Sequence, residues 1–174
     1  MKKIIFFDGD GTLWYPKKTQ YKEHPVWIYR DPLTAKDPNK HLMLIPTVLT
    51  TLKKLKKQGI ILVILSTHPH APEEADALIK RKIKHFQLYD IFDEVHATRE
   101  YHGSKGEFML KILRERGIPK NKALMVGDSY LWDIKSALNV GIDTVLIETK
   151  YEKHPATKRI KRKINKISEL LDYV

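Results

Sequence analysis

Five short apolar runs, separated by stretches with helical periodicity, constrain the fold of this chain more than any other feature. The runs are rich in Ile and Val and mostly lack polar alternation, which is typical of strands covered on both faces. They are "KIIFF" (Lys3 to Phe7), "IILVIL" (Ile60 to Leu65), "DEVHA" (Asp93 to Ala97), "KALMV" (Lys122 to Val126) and "DTVLI" (Asp143 to Ile147). The alternation predicts an α/β fold, a three-layer Rossmann-like parallel sheet with helices on both faces.

Helical periodicity between these runs predicts four helices. The first is the best defined, because Pro46 suits a first helical turn, Gly59 suits a stop, and leucines between them recur at helical spacing. The others are predicted over residues 72–84, 104–116 and 130–140. Each helix would carry the chain across one face of the sheet to the start of the next parallel strand.

Residues 15–45 do not follow this alternation of apolar runs and helical stretches. The segment is longer than an ordinary connection and contains four prolines and several aromatic residues, among them Trp27 and Tyr29. The aromatic content favours a packed flap over a disordered loop, and Trp27 and Tyr29 can cover a pocket. Because 174 residues is the size of one ordinary domain, we expect a single domain over residues 1–174 with an insert or flap at about residues 15–45.

The composition bounds the environment and the partners of the chain. It has no cysteine, which excludes disulfides, thiolate metal sites and a cysteine nucleophile. The first apolar run breaks at Asp8, and no run approaches the ~20 residues of a membrane span, so we expect a soluble, cytoplasmic protein without a membrane partner. The net charge of +11 fits a heavily charged, heat-adapted surface, with a nucleic-acid partner or an anionic substrate as the less favoured alternatives.

Polar residues follow several predicted strands at the point where each strand ends. They are Asp8 and Asp10 after the first strand, Ser66 and Thr67 after the second, and Gly127, Asp128 and Ser129 after the fourth, with Lys105 at the start of the third helix. Because ligands bind beyond the carboxyl ends of parallel strands, we expect these side chains to meet in one site.

These residue types suit phosphoryl transfer from a monoester. A carboxylate that attacks a phosphate dianion needs a divalent cation, and Mg²⁺ prefers carboxylate oxygens, so Asp8 and Asp128 form a natural pair. Alternation along the strand end points Asp10 in another direction, where it can serve the leaving oxygen as a general acid and base. Ser66 and Lys105 can then hold phosphate oxygens by a hydrogen bond and by charge.

Four segments resemble the ordered motifs of the haloacid dehalogenase-like (HAD) phosphohydrolases. They are "DGDGTL" (Asp8 to Leu13), "ILVILST" ending at Thr67, "GSKGEF" around Lys105 and "GDSYLWD" (Gly127 to Asp133). An aspartate at position 10 resembles the phosphatases and phosphomutases of the family rather than its ion-pumping ATPases. Within the family, the chain is most similar to the small magnesium-dependent phosphatases that have almost no cap domain.

The resemblance implies a HAD-like fold with a minimal cap insert and Mg²⁺-dependent hydrolysis of phosphomonoesters through a phosphoaspartate on Asp8. The implied residues are Asp8, Asp10 and Lys105 for catalysis, Asp8, Asp10 and Asp128 for the metal, and Ser66, Thr67 and Lys105 for the substrate. For Asp133 we favour a supporting role that orients Lys105, with metal ligation or a plain helix position as the alternatives. The expected substrate is a phosphorylated small metabolite or a phosphoprotein. A polynucleotide 3′-phosphatase and a non-catalytic HAD-fold binding module are the alternatives.

Two further features adjoin or follow this predicted site. "STHPHAP" places His68 and His70 beside it, and solvent-facing loop histidines are the favoured interpretation, with transition-metal binding by the His-x-His pair as the alternative. If either histidine acts in the site, we expect it to grip the substrate. In the basic stretch "KYEKHPATKRIKRKINK", apolar residues recur at helical spacing. They predict a terminal amphipathic helix docked on the sheet with a solvated basic face, and a patch for nucleic acid or an acidic partner is the alternative.

Overall fold

A computed structural model describes residues 1–67, 72–98 and 104–174. Its strands are β1 (Ile4–Phe7), β2 (Trp14–Pro16), β3 (Leu42–Leu44), β4 (Ile61–Thr67), β5 (Glu94–Thr98), β6 (Ala123–Gly127), β7 (Asp143–Ile147) and β8 (Lys163–Ile164). Six of them form one parallel sheet in the order β5-β4-β1-β6-β7-β8. The parallel α/β sheet predicted from the sequence is confirmed, and β8 is an additional edge strand of two residues.

The helices are α1 (Trp27–Arg30), α2 (Val48–Lys57), α3 (Pro72–His85), α4 (Lys105–Glu115) and α5 (Ser136–Leu138). The four predicted helices are present within a few residues of their expected bounds. The fourth begins as a π-helical segment, Tyr130–Lys135, that continues into α5. In the described residues, no helix has the length and apolar character that crossing a bilayer would require.

Alternation along β1 divides the apolar side chains between two cores. Ile5 and Phe7 face a core to which α2 and α3 contribute, whereas Ile4 and Phe6 face a second core built with α4 and α5. All four β1 side chains are fully buried, as expected for the central region of a sheet covered on both faces. The sheet therefore has helical layers on both sides, as predicted.

The register of the central strands sets the position of the site. Phe7 lies opposite Ile64 of β4 and opposite Val126 of β6, so the three strands end at the same edge. The backbone N–H of Asp8 then donates to the Val126 carbonyl oxygen at 3.0 Å. The residues that follow β1 and β6 are consequently held side by side.

The segment over residues 15–45 is ordered into small elements. β2 and β3 pair antiparallel, with Trp14 opposite Leu44, and α1 lies between them in the chain. Tyr21, Trp27 and Tyr29 are partly buried against the larger core. This minimal insert contains no further sheet beyond the β2–β3 pair among the described residues.

The prediction of a terminal amphipathic helix is wrong. The basic stretch forms a 3-10 helix over Pro155–Arg159, strand β8, and a second 3-10 helix over Ile167–Tyr173. Sheet hydrogen bonds replace helical ones here, because the Leu146 N–H donates to the Arg162 carbonyl and the Glu148 N–H to the Ile164 carbonyl. The apolar spacing of Ile164 and Ile167, both buried, arises from an edge strand followed by a tight turn.

Candidate active site

A buried lysine joins two aspartates at the carboxyl edge of the sheet. Lys105 Nζ lies 2.6 Å from Asp8 Oδ1 and 2.5 Å from Asp133 Oδ1, and all three side chains are buried. Lys105 is placed by the start of α4, where the Ser104 hydroxyl caps the helix by accepting from the Glu107 N–H. This geometry suits a residue that orients Lys105, the role that the sequence predicts for Asp133.

Asp128 enters the same site from the end of β6. Its carboxylate accepts from the Thr12 hydroxyl at 3.3 Å and from the Tyr151 hydroxyl at 2.6 Å. Thr12 belongs to the first motif and Tyr151 follows β7, so two distant segments orient this carboxylate. Asp128 is buried, and with these two contacts its carboxylate lies beside that of Asp8.

Asp8, Asp128 and Asp133 form a cluster of carboxylates whose oxygens lie within 4.8 Å of one another. Hard divalent cations such as Mg²⁺ prefer a few carboxylates together with carbonyl and water oxygens. One lysine cannot neutralise three ionised carboxylates, so the donor set fits a divalent cation both in ligand type and in charge. The residues present are therefore able to hold the metal that the sequence predicts.

The electrostatics of the protein alone point the same way. Burial raises the pKa of Asp8 to about 7, against the opposing effect of Lys105. Burial, followed by the charges of Asp8 and Asp133, raises the pKa of Asp128 well above its ordinary value. Burial lowers the pKa of Lys105, but Asp133 and Asp8 outweigh that effect and raise it, so this lysine stays charged. The cluster thus carries more carboxylates than the protein alone can keep ionised.

Asp10 faces a different set of partners. Its oxygens accept from Trp14 Nε1 at 2.5 Å, from the Tyr29 hydroxyl at 2.8 Å, and from Lys82 Nζ at 3.1 and 3.4 Å. Within the described residues, the three-carboxylate cluster does not include Asp10, although the sequence places it among the metal residues. The structure thus separates Asp10 from Asp8 in direction, as alternation along the strand end predicts.

The second strand motif lies beside the first. Ser66 is buried, and a Cβ added at Gly9 would lie 3.4 Å from its hydroxyl oxygen, which places Ser66 next to the turn that follows Asp8. Thr67 is half-buried at the end of β4. Their predicted contacts with a phosphate group stay predictions. His68 and His70 lie outside the described residues.

Two glycines allow the close approach on which the site depends. A Cβ at Gly127 would lie 2.2 Å from Asp133 Oδ2, far inside contact distance. Gly11 has a φ of +81°, and a Cβ there would lie 2.4 Å from Asp128 Oδ2. Asp133 and Asp128 can therefore reach the cluster only because these two positions lack side chains.

Sequence reasoning missed several residues of the site, among them Lys82 and Tyr151. Lys82 follows Ala75 and Ile79 on the buried stripe of α3, so a lysine on an otherwise apolar stripe was the available signal. Tyr151 lies in a basic stretch, and no pattern in the sequence predicted its contact with Asp128. Tyr29 was expected near the pocket, and its pKa is raised well above the ordinary value by burial and by the Asp10 charge, so its hydroxyl keeps its proton.

Comparison with known proteins identifies the family to which these motifs belong. Residues 4–147 match the family model described as haloacid dehalogenase-like hydrolase. A search of curated proteins found no match.

Several solved structures share the fold. A putative phosphatase from Clostridium difficile is 18% identical with a TM-score of 0.75, and covers 99% of this chain and 98% of its own. A haloacid dehalogenase-like hydrolase from Streptococcus pneumoniae is 18% identical with a TM-score of 0.74, at 99% and 98% coverage. A predicted phosphoglycolate phosphatase from Haemophilus somnus is 18% identical with a TM-score of 0.71, at 99% and 97% coverage. At these identities the likeness establishes the common fold.

Proposed function

The chain belongs to the haloacid dehalogenase-like hydrolase family, and on that premise we propose that it is a Mg²⁺-dependent phosphomonoester hydrolase that acts through a phosphoaspartate on Asp8. The observation that carries the proposal is the convergence of Asp8, Asp128, Asp133 and Lys105 in one buried cluster. A nucleophilic carboxylate, further metal-binding oxygens and a fixed cation are the groups that phosphoryl transfer from a monoester needs.

The proposed Mg²⁺ site uses the carboxylates of Asp8 and Asp128, with Asp133 in the same cluster. When bound, Mg²⁺ would reduce the repulsion between the Asp8 carboxylate and the phosphate dianion. The Thr12 and Tyr151 hydroxyls hold Asp128 in place from two sides. Asp10 remains a proposed site residue, but its carboxylate is oriented towards Tyr29, Trp14 and Lys82.

In the proposed first step, an Asp8 oxygen attacks phosphorus, the bond from phosphorus to the leaving oxygen breaks, and Asp10 gives its proton to that oxygen. In the second step, Asp10 takes a proton from water while the water oxygen attacks phosphorus. The bond from phosphorus to Asp8 then breaks, which releases phosphate and restores both carboxyl groups. Lys105, Ser66 and Thr67 would hold the phosphoryl oxygens throughout.

The favoured substrate is a phosphorylated small metabolite or a phosphoprotein, because the insert over residues 15–45 is small and leaves room for varied leaving groups. A polynucleotide 3′-phosphatase is the second candidate, and one observation favours it. Residues 15–45 contain six Lys and Arg against three acidic residues, and residues 148–166 contain eight against two. The two segments meet at the site, where the Lys150 N–H donates to the Tyr21 carbonyl at 3.0 Å.

Turnover of p-nitrophenyl phosphate tests the proposed function. We expect hydrolysis that EDTA abolishes and added Mg²⁺ or Mn²⁺ restores, and a loss of several orders of magnitude in Asp8→Asn. Lys111→Met is a matched control, since Lys111 lies on α4 with Lys105 but is exposed. Full activity in EDTA would refute the metal requirement. Absence of turnover with any metal would instead favour a non-catalytic binding module.

A further inference from the structure

Lys82 is a buried charged residue that the mechanism above leaves without a role. It lies on α3, and its side chain is 2% exposed. Its Nζ contacts both oxygens of Asp10, hydrogen-bonds the Tyr29 hydroxyl, and lies 4.6 Å from the centroid of the Tyr29 ring. Lys82 also lies over the Trp14 ring, at 5.5 Å from its centroid. The ammonium group is thus enclosed by Asp10 and two aromatic rings.

A lysine is a costly residue at this position. Transfer of an ammonium group into a protein interior costs several kcal/mol, and a buried ion pair often stabilises a fold no better than apolar residues of similar size. The neighbouring positions of the same stripe, Ala75 and Ile79, are apolar and fully buried. Packing alone therefore favours an apolar residue at position 82, and the charge calls for another explanation.

The contacts of Asp10 supply that explanation. Among the described residues, its carboxylate receives donors from Trp14 at the start of β2, from Tyr29 in α1 and from Lys82 in α3. Trp14 and Tyr29 are neutral donors, so Lys82 is the charged member of the three. At 3.1 and 3.4 Å, the contacts of Lys82 with Asp10 are longer than those of Trp14 and Tyr29, so Lys82 holds the carboxylate by its charge rather than by a short hydrogen bond.

We propose that Lys82 is a positioning residue that fixes the carboxylate of Asp10 for proton exchange with the leaving group and with water. This inference rests on the proposed function, because it presumes that Asp10 serves as the general acid and base. Through Tyr29, the same contacts tie the insert to α3, so the position of Asp10 depends on the docking of both. Lys82 itself is too deeply buried to touch a substrate, and its effect passes through Asp10.

The test compares two substrates of similar size and different leaving groups, phenyl phosphate and p-nitrophenyl phosphate. Phenol is the more basic leaving group and depends more on protonation by Asp10. In Lys82→Met we expect kcat/KM, which reports the steps up to formation of the phosphoaspartate, to fall by about 10- to 100-fold for phenyl phosphate and by less than about threefold for p-nitrophenyl phosphate. Where the attack of water limits turnover, kcat should fall by the same factor for both substrates, because that step does not depend on the leaving group.

Lys84→Met is the matched control, since Lys84 is an exposed lysine on the same helix. It should keep the wild-type ratio of the two kcat/KM values. If Lys82→Met fails to fold, as judged by thermal unfolding, Lys82→Gln takes its place. This variant removes the charge but keeps a hydrogen-bond donor at position 82, and it should shift the ratio in the same direction by about threefold.

The outcomes separate the inference from the proposed function. A folded Lys82→Met or Lys82→Gln with the wild-type ratio of the two kcat/KM values would overturn the positioning role and leave the proposed function intact. An equal loss of kcat/KM on both substrates would also overturn it, because a purely structural role lowers both values together. Absence of metal-dependent turnover in the wild-type protein would overturn the proposed function and this inference with it.

Discussion

Asp8→Asn should make the metal-free protein more stable at neutral pH. Burial raises the pKa of Asp8 from 3.8 to about 7, so the folded protein binds this proton more tightly than the unfolded chain. Well below pH 4 the carboxyl group is protonated in both states and does not affect the free energy of unfolding. Between about pH 4 and pH 7 the unfolded chain ionises first, and the free energy of unfolding therefore falls as the pH rises.

The size of the effect follows from the shift in pKa. One pKa unit corresponds to about 1.4 kcal/mol, so the metal-free wild type should lose up to about 4 kcal/mol through Asp8 between pH 4 and pH 8. Asp8→Asn cannot ionise and does not incur this loss. The difference in unfolding free energy between the two proteins should therefore change by roughly 2 to 4 kcal/mol in favour of the variant over this range.

Urea unfolding of both proteins in EDTA at several pH values measures that difference. Comparison with Asp8→Asn cancels the contributions of titrating groups that do not interact with Asp8, and the difference includes the coupling of Asp8 to Asp128 and Lys105. Addition of Mg²⁺ at pH 8 should stabilise the wild type more than the variant, because a ligand that binds only the folded state shifts unfolding. A difference that is constant from pH 4 to pH 8, or that changes in the opposite direction, would refute the account of the buried cluster.

Three further predictions address other parts of the site. Asp10→Asn should reduce kcat/KM for phenyl phosphate far more than for p-nitrophenyl phosphate, and equal losses of kcat/KM on every substrate would show that its role as general acid is misassigned. Gly127→Ala should lower kcat at least about tenfold, because a Cβ at this position would displace Asp133. Gly117→Ala is the control and should not lower kcat, since a Cβ there meets nothing within 4 Å, and steady-state kinetics on the folded variants measures both effects. Neutralising Lys158, Arg159 and Lys161 should leave the turnover of small phosphates unchanged. If the wild type releases phosphate from a 3′-phosphorylated oligonucleotide efficiently and in a salt-sensitive manner, and these substitutions abolish that release, the polynucleotide 3′-phosphatase becomes the favoured function.

The elements that the sequence predicted best are those whose signal is local. β1 and β7 are continuous apolar runs, and α2 has a start, a stop and an apolar stripe of its own. The helix prediction for the terminal basic stretch was wrong because the spacing of its apolar residues is compatible with several kinds of secondary structure. There, pairing of β8 with β7 decides the outcome, and such pairing depends on the rest of the sheet.

The same distinction holds within the site. Asp8, Asp128 and Lys105 stand at strand or helix ends that local patterns reveal, and parallel topology brings those ends together. Lys82 and Tyr151 gain their positions only through long-range packing of α3 and of the segment after β7. No spacing in the sequence connects either residue to the aspartate that it contacts.

The stereochemical course at phosphorus tests the central claim, a phosphoaspartate on Asp8, most directly. Each in-line displacement inverts the configuration at phosphorus, so two successive displacements restore it. Hydrolysis of a chiral thiophosphate monoester in isotopically labelled water should therefore proceed with net retention. Net inversion would mean that water attacks the substrate directly, and it would contradict a covalent intermediate on Asp8.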